Sequence, residues 1–175
     1  MIILNYLKII KKNDMKYLLI LSCLLFTSIG WSKDVSYDDL IKKDGLYYEK
    51  FTNVPFTGYV GGLYQGNMVK GKKEGGWIGY YENGQLFFKS NYKDDKKEGE
   101  TIVYYENGQL LEKGIWKEGV LEGELLIYYE TGQLEIKSNY KDGKKEGEWL
   151  YYHEEGQLMY SDIYKNGELI ETIEP

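Results

Sequence analysis

Tyr80-Tyr-Glu-Asn-Gly-Gln-Leu86 returns as Tyr104-Tyr-Glu-Asn-Gly-Gln-Leu110, then as Tyr128-Tyr-Glu-Thr-Gly-Gln-Leu134 and as Tyr152-His-Glu-Glu-Gly-Gln-Leu158. Its glycines, Gly84, Gly108, Gly132 and Gly156, are spaced by 24 residues. A fixed period in this range is the mark of a stacked repeat array. It argues against most enzymes, because a catalytic carboxylate pair is singular, with two environments that push the pKa values apart.

Each clean unit reads as a β-hairpin. The first strand ends at the aromatic pair, over Trp77 to Glu82, Thr101 to Glu106, Leu125 to Glu130 and Trp149 to Glu154. The residue before the periodic glycine is Asn83, Asn107, Thr131 or Glu155. Thr and Glu resist positive φ, so a type I turn closed by a left-handed glycine fits all the units, and a type I′ turn does not. The second strand runs from Gln85, Gln109, Gln133 and Gln157 to Tyr92, Trp116, Tyr140 and Tyr164, and a polar turn such as residues 141–147 leads onward.

Alternation places Tyr80, Tyr104, Tyr128 and Tyr152 on one face with Ile78, Ile102, Leu126 and Leu150. The other face carries Trp77, Tyr81, Tyr105, Tyr129, Trp149 and His153. With both faces apolar or aromatic, one hairpin cannot bury its own surface and a stack can. The second set is the candidate binding surface, because Tyr and Trp supply contact area at low entropy cost. The competing role for these rings is cross-strand packing.

Outward from the array, a divergent unit with Leu46-Tyr47-Tyr48 and Pro55-Phe56-Thr57-Gly58 precedes the clean ones. Residues 33–44 read as a lead-in with a short helix. Ser36 is the N-cap, Asp38 and Asp39 lie in the first turn, Lys42 and Lys43 in the last, and Gly45 stops it. The array spans residues 45–167, and residues 168–175 form an acidic cap with Glu168, Glu171, Glu174 and Pro175.

Residues 1–32 read as a signal peptide. Lys16 precedes an apolar run from Tyr17 to Phe26, and Gly30 and Ser32 sit at −3 and −1 of a cleavage before Lys33. Met1 to Asp14 is either a long basic lead or an upstream start with Met15 the initiator. An uncleaved anchor and lipidation at Cys23, the one cysteine, are the alternatives. The expected location is exported: periplasmic, extracellular or in the cell envelope. Cleavage removes four Lys and one Asp and moves the net charge from −6 to −9. All the basic residues are Lys, and an acidic chain without Arg is unsuited to nucleic acid.

The repeat resembles the bacterial MORN repeat, with its Tyr-Tyr-x-Asn-Gly and Lys-Asp-Gly-Lys-x-x-Gly signatures over about residues 45–167. The segments Gly45-Leu46-Tyr47-Tyr48 and Pro55-Phe56-Thr57-Gly58 are similar to the start of the YwqK family antitoxin group. The resemblance implies an elongated, solenoid-like antiparallel meander of stacked hairpins, all-β but for the short helix. It implies a role in binding protein or membrane, with no catalytic residues to carry over. An exported antitoxin would not meet a cytoplasmic toxin.

Other constellations resolve into turn chemistry. Gly66 to Lys73 nearly spells a phosphate-binding loop, but Lys73 replaces the Mg²⁺-binding hydroxyl and no helix pattern follows. Asp94, Asp95, Glu98, Asp142 and Glu146 do not alternate as a calcium loop does. Glu82, Glu106, Glu130 and Glu154 recur once per unit and suit a turn or cross-strand role beside Lys89, Lys113 and Lys137. With His153 the one His, no metal site is expected. The expectation is a non-enzymatic exported scaffold that binds a protein partner through an aromatic face, with no cofactor, no nucleic acid and no small-molecule substrate. The alternatives are an antitoxin or immunity role and association with a membrane surface through the Lys-rich turns.

Overall fold

The computed structural model describes residues 35–175. The expected signal peptide, residues 1–32, lies outside the described residues. Strand β1 (Val35–Ser36) and a single 3-10 turn (Tyr37–Asp39) lead into β2 (Leu40–Lys43) and β3 (Leu46–Glu49), which form a sheet of their own. The main sheet continues through β4 (Gly58–Gly61), β5 (Tyr64–Val69), β6 (Lys72–Tyr80), β7 (Leu86–Lys93), β8 (Lys96–Tyr104) and β9 (Leu110–Lys117). Then come β10 (Val120–Tyr128), β11 (Leu134–Lys141), β12 (Lys144–Lys145) with β13 (Gly147–Tyr152), β14 (Leu158–Lys165) and β15 (Glu168–Ile173). From β4 to β15 its strands lie in sequence order, each antiparallel to the last, with β12 and β13 both paired to β11. Strand β1 adds a short parallel edge beside β4.

Two turn types alternate along this meander. At the aromatic pair, the Gly84 N–H donates to the Tyr81 carbonyl (3.0 Å) and the Tyr81 N–H to that of Gln85 (2.9 Å), with Gly84 at φ 85°. Residues 83, 107, 131 and 155 keep negative φ, so this is the type I turn with a left-handed glycine that Thr131 and Glu155 require. The other turns are tighter than the sequence suggests. Asp142-Gly143, Glu118-Gly119 and Asp94-Asp95 are two-residue turns with both φ positive, the type I′ geometry. Strand pairing resumes directly after them: β8 begins at Lys96, well before Thr101. Gly99, at φ 79°, sits at a bulge where the register shifts against β7.

Over residues 35–44, the described part of the lead-in, the expected helix does not form. Ser36 does accept from the Asp38 N–H (3.4 Å), but the cap begins only the 3-10 turn, and Leu40–Lys43 is the strand β2. Lys43-Asp44-Gly45 is the same type I′ signal as Lys141-Asp142-Gly143, with Asp44 at φ 51° and Gly45 at φ 77°. A two-residue hairpin turn satisfies more backbone groups here than one helical turn, most of whose N–H and C=O groups lack intrahelical partners.

The core lies against the inner face of the first units. Val35, Leu40, Val60, Met68 and Trp77 are buried together, flanked by Tyr37, Tyr47, Phe56, Tyr64, Phe88 and Tyr92. Small residues face large ones across the strands. Gly66 pairs with Trp77, Ser90 with Trp77, Gly114 with Leu125 and Gly79 with Phe88. A Cβ on Gly66 would lie 2.4 Å from the Trp77 ring. Polar residues in this row are satisfied: Ser90 and Thr101 share a 2.7 Å hydroxyl bond, and Ser138 donates to the Leu125 carbonyl at 3.0 Å. The acidic tail is the last strand, and its Leu169 and Ile170 are exposed.

Candidate binding surface

The sheet presents two unlike faces, which the register separates. The inner face holds most of the residues expected to bind. Trp77 is 0% exposed and Trp149 5%, so neither ring reaches a partner in the folded chain. The Trp77 indole N–H donates to the Asn67 carbonyl (3.1 Å) and that of Trp149 to Asn139 (3.2 Å). Tyr81, Tyr105 and Tyr129 are half-buried, and each hydroxyl donates to a carbonyl in the following unit: Tyr104 (2.7 Å), Tyr128 (2.7 Å) and Tyr152 (2.8 Å). His153, in the last unit, is exposed. The ladder is therefore a set of rivets between units, the packing role that cross-strand aromatics commonly have.

Lysines join the same face. The Lys73 ammonium lies over the rings of Trp77 (4.6 Å), Tyr92 (5.0 Å) and Tyr37 (5.1 Å). Lys145 repeats this over Trp149 (4.0 Å) and Tyr164 (4.4 Å), and Lys97 over Trp116 (4.3 Å). Burial pushes Lys73 below the ordinary Lys value, with Asp95 pulling the other way, and Lys97 goes down for the same cause, opposed by Glu112.

The turn edge carries a second set of ties. Glu74, Glu98, Glu122 and Glu146 accept from the turn N–H of Asp94, Glu118, Asp142 and Asn166 in the next unit, at 2.7–3.0 Å. Glu98 and Glu146 are among the acidic residues read as turn chemistry, and Glu74 and Glu122 take the same role. The Lys column pairs differently from the expectation: Lys113 meets Glu100 (2.8 Å) and Lys137 meets Glu124 (3.3 Å), not Glu82 or Glu106. The β8–β9 register sets Lys113 opposite Ile102 and so diagonal to Glu100, and the β10–β11 register likewise sets Lys137 opposite Leu126 and diagonal to Glu124. Gly66 to Lys73 is a strand, the Lys70-Gly71 turn and a further strand, which agrees with its reading as a repeat turn.

The outer face carries three rows. Tyr80, Tyr104, Tyr128 and Tyr152 stand opposite Leu86, Leu110, Leu134 and Leu158. Beside them Ile78, Lys89, Ile102, Lys113, Leu126, Lys137 and Leu150 alternate across the strands. A third row holds Gly76, Asn91, Glu100, Ile115, Glu124, Asn139, Glu148 and Ile163. Among the described residues, the four tyrosine side chains of the first row make no hydrogen bond and no ring contact. Alternation alone shows this row without marking it as a site. The signal lies in Gly66, Gly79 and Gly114, which mark the opposite face as the packed one. A cleft of about 450 Å³ opens on the outer face beside Gly76, lined by Tyr59, Gln65, Asn67, Lys89, Asn91 and Glu100.

Seven phenols, Tyr37, Tyr81, Tyr92, Tyr105, Tyr129, Tyr140 and Tyr151, are pushed above their ordinary value, with burial the first cause in each. A raised folded-state value means that the unfolded chain gives up its protons first. The stability these groups contribute is whole below about pH 10 and falls as pH rises above it. Lys73 and Lys97 act oppositely, their lowered values raising stability with pH just below the ordinary Lys range. The phenols outnumber them, so the expected outcome is cooperative alkaline unfolding. Ultraviolet titration should show these phenolates appearing with the loss of β circular dichroism. Independent phenolate formation in a folded sheet would contradict the burial.

A family model described as MORN repeat variant matches residues 73–94, 97–118, 121–142 and 145–173. No curated protein matches the chain.

Proposed function

The chain belongs to the MORN repeat variant family, and from that membership we propose that it is a non-enzymatic scaffold whose outer sheet face docks a protein partner. MORN repeats are repeat scaffolds implicated in protein or membrane binding, and the family is not an enzyme family. The observation that carries the reading is the uncommitted tyrosine row, Tyr80, Tyr104, Tyr128 and Tyr152, repeated at one spacing beside half-buried aliphatics. On the inner face the equivalent phenols are spent on neighbouring units. Rigid tyrosines at regular intervals suit an extended surface on the partner.

The test is a Tyr104→Ser/Tyr128→Ser variant. Affinity for a partner cross-linked and identified in native cells should fall by about 100-fold, as for loss of two interface anchors. The melting temperature should stay near wild type. A Lys96→Ser/Lys144→Ser variant on the turn edge should bind normally. Unchanged binding by the tyrosine variant would remove the outer face from consideration.

Export is part of the proposal and is supported by Lys16, the apolar run Tyr17 to Phe26 and the small residues Gly30 and Ser32. A mature mass starting near Lys33 outside the cytoplasm supports it; a mass including Met1 or Met15 in the cytosol refutes it. Toxin neutralisation, which the similarity to YwqK family antitoxins suggests, then requires a toxin that is exported as well. Membrane docking by the turn edge is disfavoured because Lys72 pairs with Asp94 (3.3 Å) and Glu74, Glu98, Glu122 and Glu146 lie along the same edge.

A further inference from the structure

The Glu–Lys diagonal of the outer face is closed in the middle of the array and open at both ends. Glu100 pairs with Lys113 and Glu124 with Lys137. One repeat earlier, Gly76 stands where the glutamate should be, so among the described residues Lys89 has no ion pair. One repeat later, Ser161 replaces the lysine, and Glu148 has none. The chain thus holds an unmatched cation in its first clean unit and an unmatched anion in its last, on the same face. At the cation end the missing Gly76 side chain opens the cleft that Lys89 shares with Asn67, Asn91, Gln65 and Glu100, whose carboxylate is already held by Lys113 at 2.8 Å. An ammonium beside three amides, with the one lining carboxylate engaged elsewhere, is a receptor for a further carboxylate.

We propose that this face docks on the same face of a second copy, with Glu148 of each copy entering the Lys89 cleft of the other. The proposal rests on the outer face being the docking face and adds the identity of the partner. A two-fold axis parallel to the strands, between β9 and β10, gives the arrangement. The four clean units contribute eight strands, β6 to β11, β13 and β14. Because that number is even, the axis lays β7 over β13, β9 over β10, β8 over β11 and β6 over β14. Strands that carry Lys therefore meet strands that carry an aliphatic and a Glu. Lys89 comes over Leu150 beside Glu148 of the second copy, and Asn91 faces that carboxylate. The tyrosines meet leucines throughout: Tyr80 over Leu158, Tyr104 over Leu134, Tyr128 over Leu110 and Tyr152 over Leu86. An isologous contact must be self-complementary in this way. The orphan charges also fix the register, since sliding the copies by one unit leaves Lys89 and Glu148 unmatched.

The area is sufficient. Eight strands about 4.8 Å apart and five residues at about 3.4 Å each span roughly 600–700 Å². That is close to the roughly 800 Å² per partner of a standard interface.

Sedimentation equilibrium on the chain as isolated from cells tests the proposal, with circular dichroism as the folding control. Wild type should dimerise. Lys89→Glu sets two carboxylates together twice per dimer and should raise the dissociation constant by at least about 100-fold. Gly76→Glu should do the same by filling the cleft and pairing Lys89 within its own chain. That position accepts a side chain, with a new Cβ meeting only Asn91 Oδ1 at 3.6 Å. The swap Lys89→Glu/Glu148→Lys should return the constant to within about 5-fold of wild type, because the pair is re-formed with its signs exchanged. A chain that stays monomeric, or a dimer indifferent to Lys89→Glu and Gly76→Glu, overturns the proposal. If the chain is monomeric while Tyr104→Ser/Tyr128→Ser still loses another protein, the docking face stands and only the second copy falls.

Discussion

Trp77→Ala should lower the stability of the array by about 3–5 kcal/mol, the range for removing a large aromatic from a packed core. The ring is fully buried between Gly66 and Ser90, with Tyr37 set edge-on at 6.1 Å and Lys73 over its face. Its removal creates a cavity that Gly66, having no side chain, does not fill, and it strands the Asn67 carbonyl that the indole satisfied. A loss of this size is a large share of the roughly 5–15 kcal/mol that holds a domain folded. Trp149→Ala should cost less, because its cover is Tyr140, Tyr164 and Lys145 without the Val35, Leu40, Val60 and Met68 cluster. Urea unfolding of both variants settles the order. Equal losses, or a Trp77→Ala loss under about 1.5 kcal/mol, would mean that the first units are not the stability centre.

Gly71→Val should detach the leading hairpin at a cost of about 3 kcal/mol, from left-handed strain and a collision together. Gly71 is buried at φ 76°, and a Cβ there would lie 2.8 Å from the Tyr47 carbonyl oxygen and 2.9 Å from its nitrogen. Those atoms belong to backbone, which cannot swing aside. Three hydrogen bonds close a ring around the position: Tyr47 N–H to Gly71 (2.8 Å), Gly71 N–H to Phe56 (2.7 Å) and Phe56 N–H to Tyr47 (2.9 Å). Gly75→Val isolates the strain alone, since φ is 71° and nothing lies within 4 Å of the added atom. Hydrogen exchange should quicken at Tyr47 and Phe56 in Gly71→Val and stay slow in β13 and β14, because each unit touches only its neighbours. Uniform quickening would show a single cooperative block instead.

Much of this fold is local, and so it is legible in the sequence. The strands, the left-handed glycines at Gly84, Gly108, Gly132 and Gly156, and the face alternation all follow from short-range pattern. Two local signals compete in the lead-in. Ser36 announces a helix, while Lys43-Asp44-Gly45 repeats a turn already visible at Lys141-Asp142-Gly143, and the turn wins. The site is harder, because alternation names two faces without saying which one is packed. Trp77 and Trp149 look like a binding surface, but Gly66, Gly79 and Gly114 sit across from bulky neighbours and mark theirs as the packed face. The Lys113–Glu100 and Lys137–Glu124 pairs depend on the β8–β9 and β10–β11 registers, which a period of 24 does not reveal.

In two repeated sets of ties, a side chain of one unit reaches forward to the backbone of the next. Tyr81, Tyr105 and Tyr129 donate forward, and Glu74, Glu98, Glu122 and Glu146 accept from the unit ahead. A duplicated 24-residue segment inserted between Gly84 and Gly108 would therefore find a ready acceptor in front and a ready donor behind. Each such insertion would lengthen the sheet by two strands, roughly 10 Å, without altering the chemistry of any existing surface. The molecule is in this sense a ruler, and gene-level copy number sets its graduation.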